Sequence, residues 1–438
     1  MKDDLTPYRQ AARRRWRRPS RALGFRPWRL LVITALLLLS VAATPLVSAQ
    51  GANVPAGFED QPVASVDAPT ALAFTPDDRI LVTEKRGILW VVETDERVEP
   101  AALDLSADIC ANFERGLLGV AVDPAFGVNN NYIYLYYTFK KSGECPKNTG
   151  GTPVNRVSRF ELVDNSVAAA SEEILLDNIP SPNGNHNGGD LQFGKDGNLY
   201  VSVGDGGCDL RDRSRCQGEN RNARLPHFLL GKILRITTTG GIPAGNPYAG
   251  RGKRCAMTGR TTRGDQCRET FASGLRNPFR IAFNQNAAGT VFRINDVGGQ
   301  AWEEINAGKA GADYGWNLRE GRCKVGSFRE CGKPPRGLTN PIFSYSHRNG
   351  LGCGSITGGA FVPDNAWPAA YDGAYLFADF VCDRIFSLKP GARAGLQGKE
   401  FASDLGSPTA MALNPSDQGL YYLTFKNGGE VHRTVAMP

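Results

Sequence analysis

A histidine stands at position 186 in Asn185-His186-Asn187-Gly188-Gly189-Asp190, and an aspartate at 205 in Gly204-Asp205-Gly206-Gly207. The small neighbours leave the imidazole with little bulk around it. Between the two lie Leu191-Gln-Phe193 and Leu199-Tyr-Val-Ser-Val203, joined by a Lys-Asp-Gly-Asn turn, which reads as one strand out and one back. That return would bring Asp205 near His186, and an acid beside a histidine orients and tunes a general base. On composition alone, an ordinary surface-turn histidine explains the same residues. Gly274-Leu-Arg276-Asn277-Pro-Phe-Arg280 sets two arginines around an amide; read by itself it is a turn with surface arginines. Asp296-Val-Gly298-Gly299-Gln-Ala-Trp302-Glu303-Glu304-Ile-Asn306 gathers carboxylates next to glycine carbonyls, a donor set that suits a hard cation such as Ca²⁺, without the EF-hand spacing.

The elements that must hold these groups are short strands. One pattern recurs: an apolar strand, a turn rich in Pro, Asp, Asn or Gly, and a second strand. It begins at Ala71, Gly119, Asp190, Arg280, Gly359 and Ala410, and helical periodicity is almost absent. Period-2 runs joined by such turns are hairpins. Six copies at intervals of about 50–90 residues point to radial repetition, hence an all-β, six-bladed β-propeller. A β-sandwich or two all-β domains would be the competing architecture, but no linker-like shift in composition divides residues 52–436. Gly429-Glu-Val-His-Arg-Thr434 is placed to close the ring against the N-terminal segment. The wide gap at 207–268, rich in Gly, Arg and Cys, reads as long loops on one face.

The chain has 438 residues, 41 % of them hydrophobic, and a formal net charge of +7. That charge is local. Residues 1–49 hold ten Lys/Arg against Asp3 and Asp4, which leaves 41 basic and 42 acidic residues in the rest. A nucleic-acid partner, which needs a basic face, is therefore not expected. The same 49 residues read as an export signal: a basic stretch to Arg29, an apolar run from Leu30, and Val47-Ser48-Ala49 before Gln50. Retained, the run would be an anchor at the lower edge of membrane length, so a membrane association is expected only if the leader stays. Either way the body is extracytoplasmic: periplasmic, secreted or at the cell surface. The ten cysteines all follow the leader, as expected of disulfides in an exported chain. Nearest-neighbour pairing would join 208 with 216, 255 with 267 and 323 with 331, leaving 110 with 145 and 353 with 382. No CxxC occurs and the four histidines are spread out, so a Cys/His zinc site is not expected.

Gly116-Leu-Leu-Gly119, His186-Asn-Gly-Gly189, Gly204-Asp-Gly206, Leu230-Gly-Lys-Ile-Leu-Arg235, Gly274-Leu-Arg-Asn-Pro278, Asp296-Val-Gly298 with Trp302-Glu-Glu-Ile-Asn306, and Tyr314-Gly-Trp316 occur in this order. Taken together they resemble the glucose/sorbosone dehydrogenase family, over nearly all of residues 52–436. The resemblance implies an exported six-bladed propeller that uses pyrroloquinoline quinone (PQQ) and Ca²⁺ to oxidise aldoses and passes the electrons to an external acceptor. It implies His186 as the general base, Asp205 as the acid that orients it, and Arg276 and Asn277 as cofactor contacts, with Arg276 polarising the quinone. Glu114 falls where a polar residue lines the site, and Gly298 and Gly299 where main-chain carbonyls hold Ca²⁺. The chain departs from the pattern late in its sequence. Where better-known members grip the PQQ carboxylates with a Lys and a pair of Arg, this chain has only Arg384 in the matching stretch, with Lys426 as a substitute, so that Arg276, Arg280, Arg384 and Lys426 are the partners left for those carboxylates. Ser355-Ile-Thr-Gly-Gly359 is similar to the branch related to animal hedgehog-interacting proteins, some of which bind partners without redox chemistry. A non-catalytic propeller that binds a glycan or a protein is thus the alternative reading. A lactonase-type propeller hydrolase is a third, which the Leu-Arg-Asn-Pro and His-Asn-Gly-Gly motifs disfavour.

Overall fold

The computed structural model describes residues 52–146, 153–207, 221–389, 392 and 394–437. The proposed leader and the Cys208–Cys216 pair fall outside them. Six antiparallel sheets follow one another along the chain. Blade 1 is built from Pro69–Phe74, Ile80–Glu84 and Ile88–Glu93, with short outer pieces at Glu96–Arg97 and Leu103–Asp104. Blade 2 runs from Leu117–Val122 to Glu173–Pro180, blade 3 from Leu191–Phe193 to Thr270–Ser273, blade 4 from Pro278–Phe283 to Phe343–Ser346, and blade 5 from Ile356–Phe361 to Glu400–Ser403. Blade 6 combines Ala410–Leu413, Leu420–Leu423 and Glu430–Ala436 with the N-terminal strand Phe58–Ser65. The result is a six-bladed β-propeller, as the repeat predicts, and among the described residues the only helices are short 3₁₀ turns. None of these is long and apolar enough to cross a membrane.

Each sheet needs both faces covered, and the ring supplies the cover. Six apolar clusters fill the spaces between neighbouring blades. The cluster of Val63, Leu72, Val82, Trp90, Leu423 and Val431 joins the last blade to the first. Every fully buried aliphatic side chain in these layers contributes about 1.5–3 kcal/mol, so closure is favoured around the whole circle. Near the axis, hydroxyls stitch blade to blade: Thr409 Oγ1 donates to Pro69 O at 3.0 Å and Thr357 Oγ1 to Pro408 O at 2.7 Å. Four disulfides, Cys110–Cys145, Cys255–Cys267, Cys323–Cys331 and Cys353–Cys382, pair as nearest-neighbour spacing predicts and fit an extracytoplasmic body. The gap at 207–268 needs correction. It is not loop throughout, because Lys232–Ile236 is the third strand of blade 3.

Bulges open the inner strands where they reach the axis. The pairing register slips between Pro69 and Ala71, Leu117 and Gly119, Pro278 and Arg280, and Ile356 and Gly359. The residues left out of register include Thr70, Leu118, Phe279 and Thr357, and all four line one axial cavity. A bulge re-aims a side chain that regular pleating would put into an inter-blade layer.

The ring is latched by a charged cluster. On the closing strand, His432 Nδ1 meets Asp60 Oδ2 and its Nε2 meets Glu430 Oε2, both at 3.0 Å, an arrangement that favours the doubly protonated imidazole. Burial alone would lower its pKa; the flanking Asp60 and Glu430 carboxylates outweigh that and hold it above the ordinary histidine value. A raised folded-state pKa gives stability that is fully present below the unfolded value and lost as pH rises through the folded one. The wild-type melting temperature should therefore fall between pH 6 and pH 9 by more than that of a His432→Gln variant. At pH 6 the variant should be less stable by about 1.5–3 kcal/mol, the worth of a charge-assisted hydrogen bond. Parallel pH dependences for the two proteins would remove His432 from the latch.

Candidate functional site

The axial cavity has a volume of about 530 Å³ and receives residues from all six blades or the loops that enter them. Its reactive wall is made by two loops pressed together. The backbone of His186 takes the left-handed conformation, φ +53°, which is uncommon for a residue with a side chain and clusters at functional sites. Gly188, at φ +63°, follows in the same loop. A Cβ on Gly204 would lie 2.0 Å from His186 O, and one on Gly188 2.8 Å from Ser202 O. Only glycine at these two positions lets the His186 loop lie directly on the turn that carries Asp205.

That contact makes the pair the sequence predicts. His186 Nδ1 lies 2.8 Å from Asp205 Oδ1, with the histidine 3 % exposed and the aspartate fully buried. The carboxylate is fixed in turn by Trp316 Nε1, which donates to Oδ2 at 2.8 Å, and by Gly207 N, which donates to Oδ1 at 2.9 Å. With Nδ1 held, Nε2 is the nitrogen left for chemistry. Glu114 Oε2 accepts the His186 backbone N–H at 2.8 Å and the Asn277 side-chain amide at 3.4 Å. Asn277 Oδ1 accepts Gly188 N–H at 3.1 Å, so Glu114 and Asn277 brace the histidine loop from outside.

Asp296 positions the Arg276-Asn277 pair. Its two oxygens accept the backbone N–H of Arg276 at 3.0 Å and of Asn277 at 2.7 Å. Burial pushes its carboxyl up to about 7, against the pull of those two N–H groups. Arg276 Nη1 donates to Val297 O at 3.1 Å, and its guanidinium sits 5.5 Å from the Trp316 ring, a cation–π distance. Trp316 therefore touches both Asp205 and Arg276.

Of the residues singled out from sequence, Glu114, His186, Arg276, Asn277 and Gly298 line the cavity. Asp205 stands behind His186. Gly299 is not in the lining; it packs beside Trp316 and Arg276. The late cations are a correction. Arg384 pairs with Glu400 at 2.6 Å and Lys426 with Asp383, and neither lines the cavity. Ser355, Thr357, Phe380, Thr409 and Phe425 form that side instead. The lining contains one lysine that sequence reasoning passes over, Lys85, on the turn after the second strand of blade 1. Nothing local marks it, because only ring closure brings that turn to the axis.

A family model described as glucose/sorbosone dehydrogenase matches residues 66–433. The chain belongs to the glucose/sorbosone dehydrogenase family. It is 28 % identical to the HIPL2 protein of Arabidopsis thaliana over 335 residues, which cover 65 % of this chain but only 45 % of HIPL2. It is 25 % identical to the aldose sugar dehydrogenase YliI of Escherichia coli K12 over 374 residues, 84 % of this chain and 89 % of that protein. The PQQ-bound aldose sugar dehydrogenase of Streptomyces coelicolor has the same fold, with a TM-score of 0.61 at 21 % identity over 87 % of this chain and 99 % of that one.

The cavity suits a planar tricarboxylate such as PQQ. Among the described residues, Lys85, Arg276 and Arg280 line it against a single carboxylate, Glu114, and a buried polyanion needs such partners. The cation fits more narrowly. Among the described residues no trio of carboxylates gathers at the cavity. Glu303, which sits beside Gly298, is bound by the N–H of Gly298 at 3.2 Å and of Ile356 at 3.0 Å, and by His347 at 2.8 Å. The carbonyls of Gly298 and Gly299 accept no described hydrogen bond. Ca²⁺ there would be held by main-chain oxygens and by the anions of the ligand itself.

Proposed function

We propose that the protein is an exported, PQQ- and calcium-dependent dehydrogenase that oxidises aldose sugars and hands the electrons to an external acceptor. The observation that carries this reading is the His186–Asp205 pair, 2.8 Å apart, at the wall of a cavity whose described lining holds three cations. The aldose sugar dehydrogenase name of the E. coli relative, which aligns over most of its length, supports it.

When bound, PQQ supplies the acceptor for the hydride from the sugar carbon. Lys85, Arg276, Arg280 and Asn277 would hold it, and Gly298 with Gly299 the Ca²⁺. The protein's own part is proton transfer and charge placement. His186 Nε2 takes the proton of the sugar hydroxyl while Asp205 holds Nδ1–H and stabilises the imidazolium that forms. Trp316 and Gly207 keep the carboxylate aimed, so the pair is assembled before substrate arrives. Arg276 places positive charge where negative charge develops on the acceptor.

The alternative, a non-catalytic propeller that binds a glycan or a protein partner, draws on the uncharged side formed by Thr409, Phe380 and Phe425 and on the HIPL2 relative. Dye reduction by the purified body separates the two. With a panel of aldoses, reduction should require both PQQ and Ca²⁺. No reduction with any aldose, and no PQQ binding, would leave the partner-binding propeller.

A further inference from the structure

We propose that Arg280 and Lys85 are the anion anchors of the axial cavity, gripping the carboxylates of a bound planar polycarboxylate in place of the late basic residues that relatives use. The inference rests on the dehydrogenase reading for the identity of that ligand, but its geometry stands by itself.

Arg280 belongs to the inner strand of blade 4, lines the cavity and is 5 % exposed. Its Nη1 donates to Phe279 O at 2.8 Å and its Nη2 to Thr70 O, in blade 1. Its Nε has no acceptor among the described residues. No carboxylate lies within ion-pair distance of it among the described residues. The acid that acts on it from farther off, Asp190, spends Oδ2 on the backbone N–H of Ile281 at 2.7 Å. The guanidinium is held by two carbonyls and the Phe279 ring, 4.6 Å away, with Asp190 as a counter-charge beyond ion-pair distance. A buried cation so placed gains from an anion that a ligand brings into contact with it.

Lys85 converges on the same place. Pro69 pairs with Glu84 across blade 1, so the turn carrying Lys85 begins beside Thr70, the residue that Arg280 reaches. The Lys85 ammonium donates to Ala111 O and makes no ion pair among the described residues. Glu114 acts on it only at longer range. Three donors and one described acceptor leave it free to bind an anion. The Lys85 turn and the Arg280 guanidinium thus both lie by Thr70, the first from blade 1 and the second reaching across from blade 4. The blade 5 and 6 side is neutral, because Arg384 and Lys426 are spent on Glu400 and Asp383.

The test is calorimetric titration of the full-length protein with PQQ in excess Ca²⁺, with thermal melts to confirm that each variant is folded. Lys85→Met should weaken binding by roughly 10- to 150-fold, the effect of losing one charge-assisted contact. Arg280→Met should do at least as much, and Arg280→Lys should recover part of it. Arg384→Met and Lys426→Met should bind as the wild type does. If Arg280→Met fails to fold, Lys85→Met and Arg280→Lys carry the test. Wild-type affinity in Lys85→Met and Arg280→Lys, or weakening by Arg384→Met or Lys426→Met instead, overturns the inference and leaves the dehydrogenase reading intact. If the wild type takes up no PQQ, that reading falls, and benzene-1,3,5-tricarboxylate decides the inference. A melting temperature raised by this tricarboxylate in the wild type but not in Lys85→Met keeps the anchors; no rise in the wild type overturns them.

Discussion

Replacing His186 with alanine is expected to lower turnover by about 10²–10⁴-fold, the usual yield of a positioned acid–base group, while PQQ binding survives. The two effects separate because the histidine and the cations have different supports. His186 is held by Asp205, Glu114 and the glycine contact at Gly204, whereas Arg276 is held by Asp296 and Val297 O. Truncating the imidazole leaves the second set untouched. The left-handed backbone at 186 sets a condition on the experiment, since alanine tolerates that conformation less well than glycine or asparagine. His186→Asn should then match His186→Ala in activity and exceed it in stability. Measuring kcat with saturating PQQ, beside a binding isotherm, checks both halves. Unchanged turnover in a folded variant would return His186 to the role of a turn residue and favour the partner-binding propeller.

What the sequence made legible was local. The hairpins announced themselves because each inner strand is an apolar run followed by a turn, as in Gly119-Val-Ala-Val or Ala410-Met-Ala-Leu. The His186–Asp205 contact followed from strand geometry: 18 residues separate the two, and antiparallel pairing of Leu191–Phe193 with Leu199–Val203 brings them back together. What escaped notice is how distant blades meet when the ring closes. Arg280 meets Thr70 across 210 positions and Thr409 meets Pro69 across 340, and no periodicity encodes such contacts. The bulges that turn Thr70, Leu118 and Phe279 toward the axis are register slips of one residue, invisible in an alternating pattern. Charge counting failed in a different way. Arg384 and Lys426 looked available until the fold set Glu400 and Asp383 beside them.

Glu320 is where stability and the proposed Ca²⁺ site meet, and removing it should have the largest structural effect of any single change near the cavity. Its Oε1 accepts four consecutive backbone N–H groups, from Gly299 at 2.9 Å, Gln300 at 2.8 Å, Ala301 at 2.7 Å and Trp302 at 3.1 Å. Its Oε2 accepts Gly326 N at 3.0 Å. Burial alone would raise this carboxyl, but the N–H groups of Ala301, Gln300, Trp302 and Gly326 outweigh it and hold the pKa below the ordinary glutamate value. Such a cluster of amides around one anion is a nest, and here it shapes the loop that presents Gly298 to the cavity. Glu320→Ala would strand those donors. Each buried donor left unsatisfied costs about 1–3 kcal/mol, but water can reach the partly exposed ones, so a total of about 3–5 kcal/mol is expected rather than the full sum. Glu320→Gln keeps one acceptor oxygen but turns an amide toward the opposite donors, and should fall between alanine and wild type. Urea denaturation of the three proteins gives the order directly. If the loop also places the carbonyls that hold Ca²⁺, the glutamine variant, still folded, should need more Ca²⁺ for half-maximal PQQ binding. A glutamine variant with wild-type stability and an unchanged Ca²⁺ requirement would mean that the loop holds its shape without the nest.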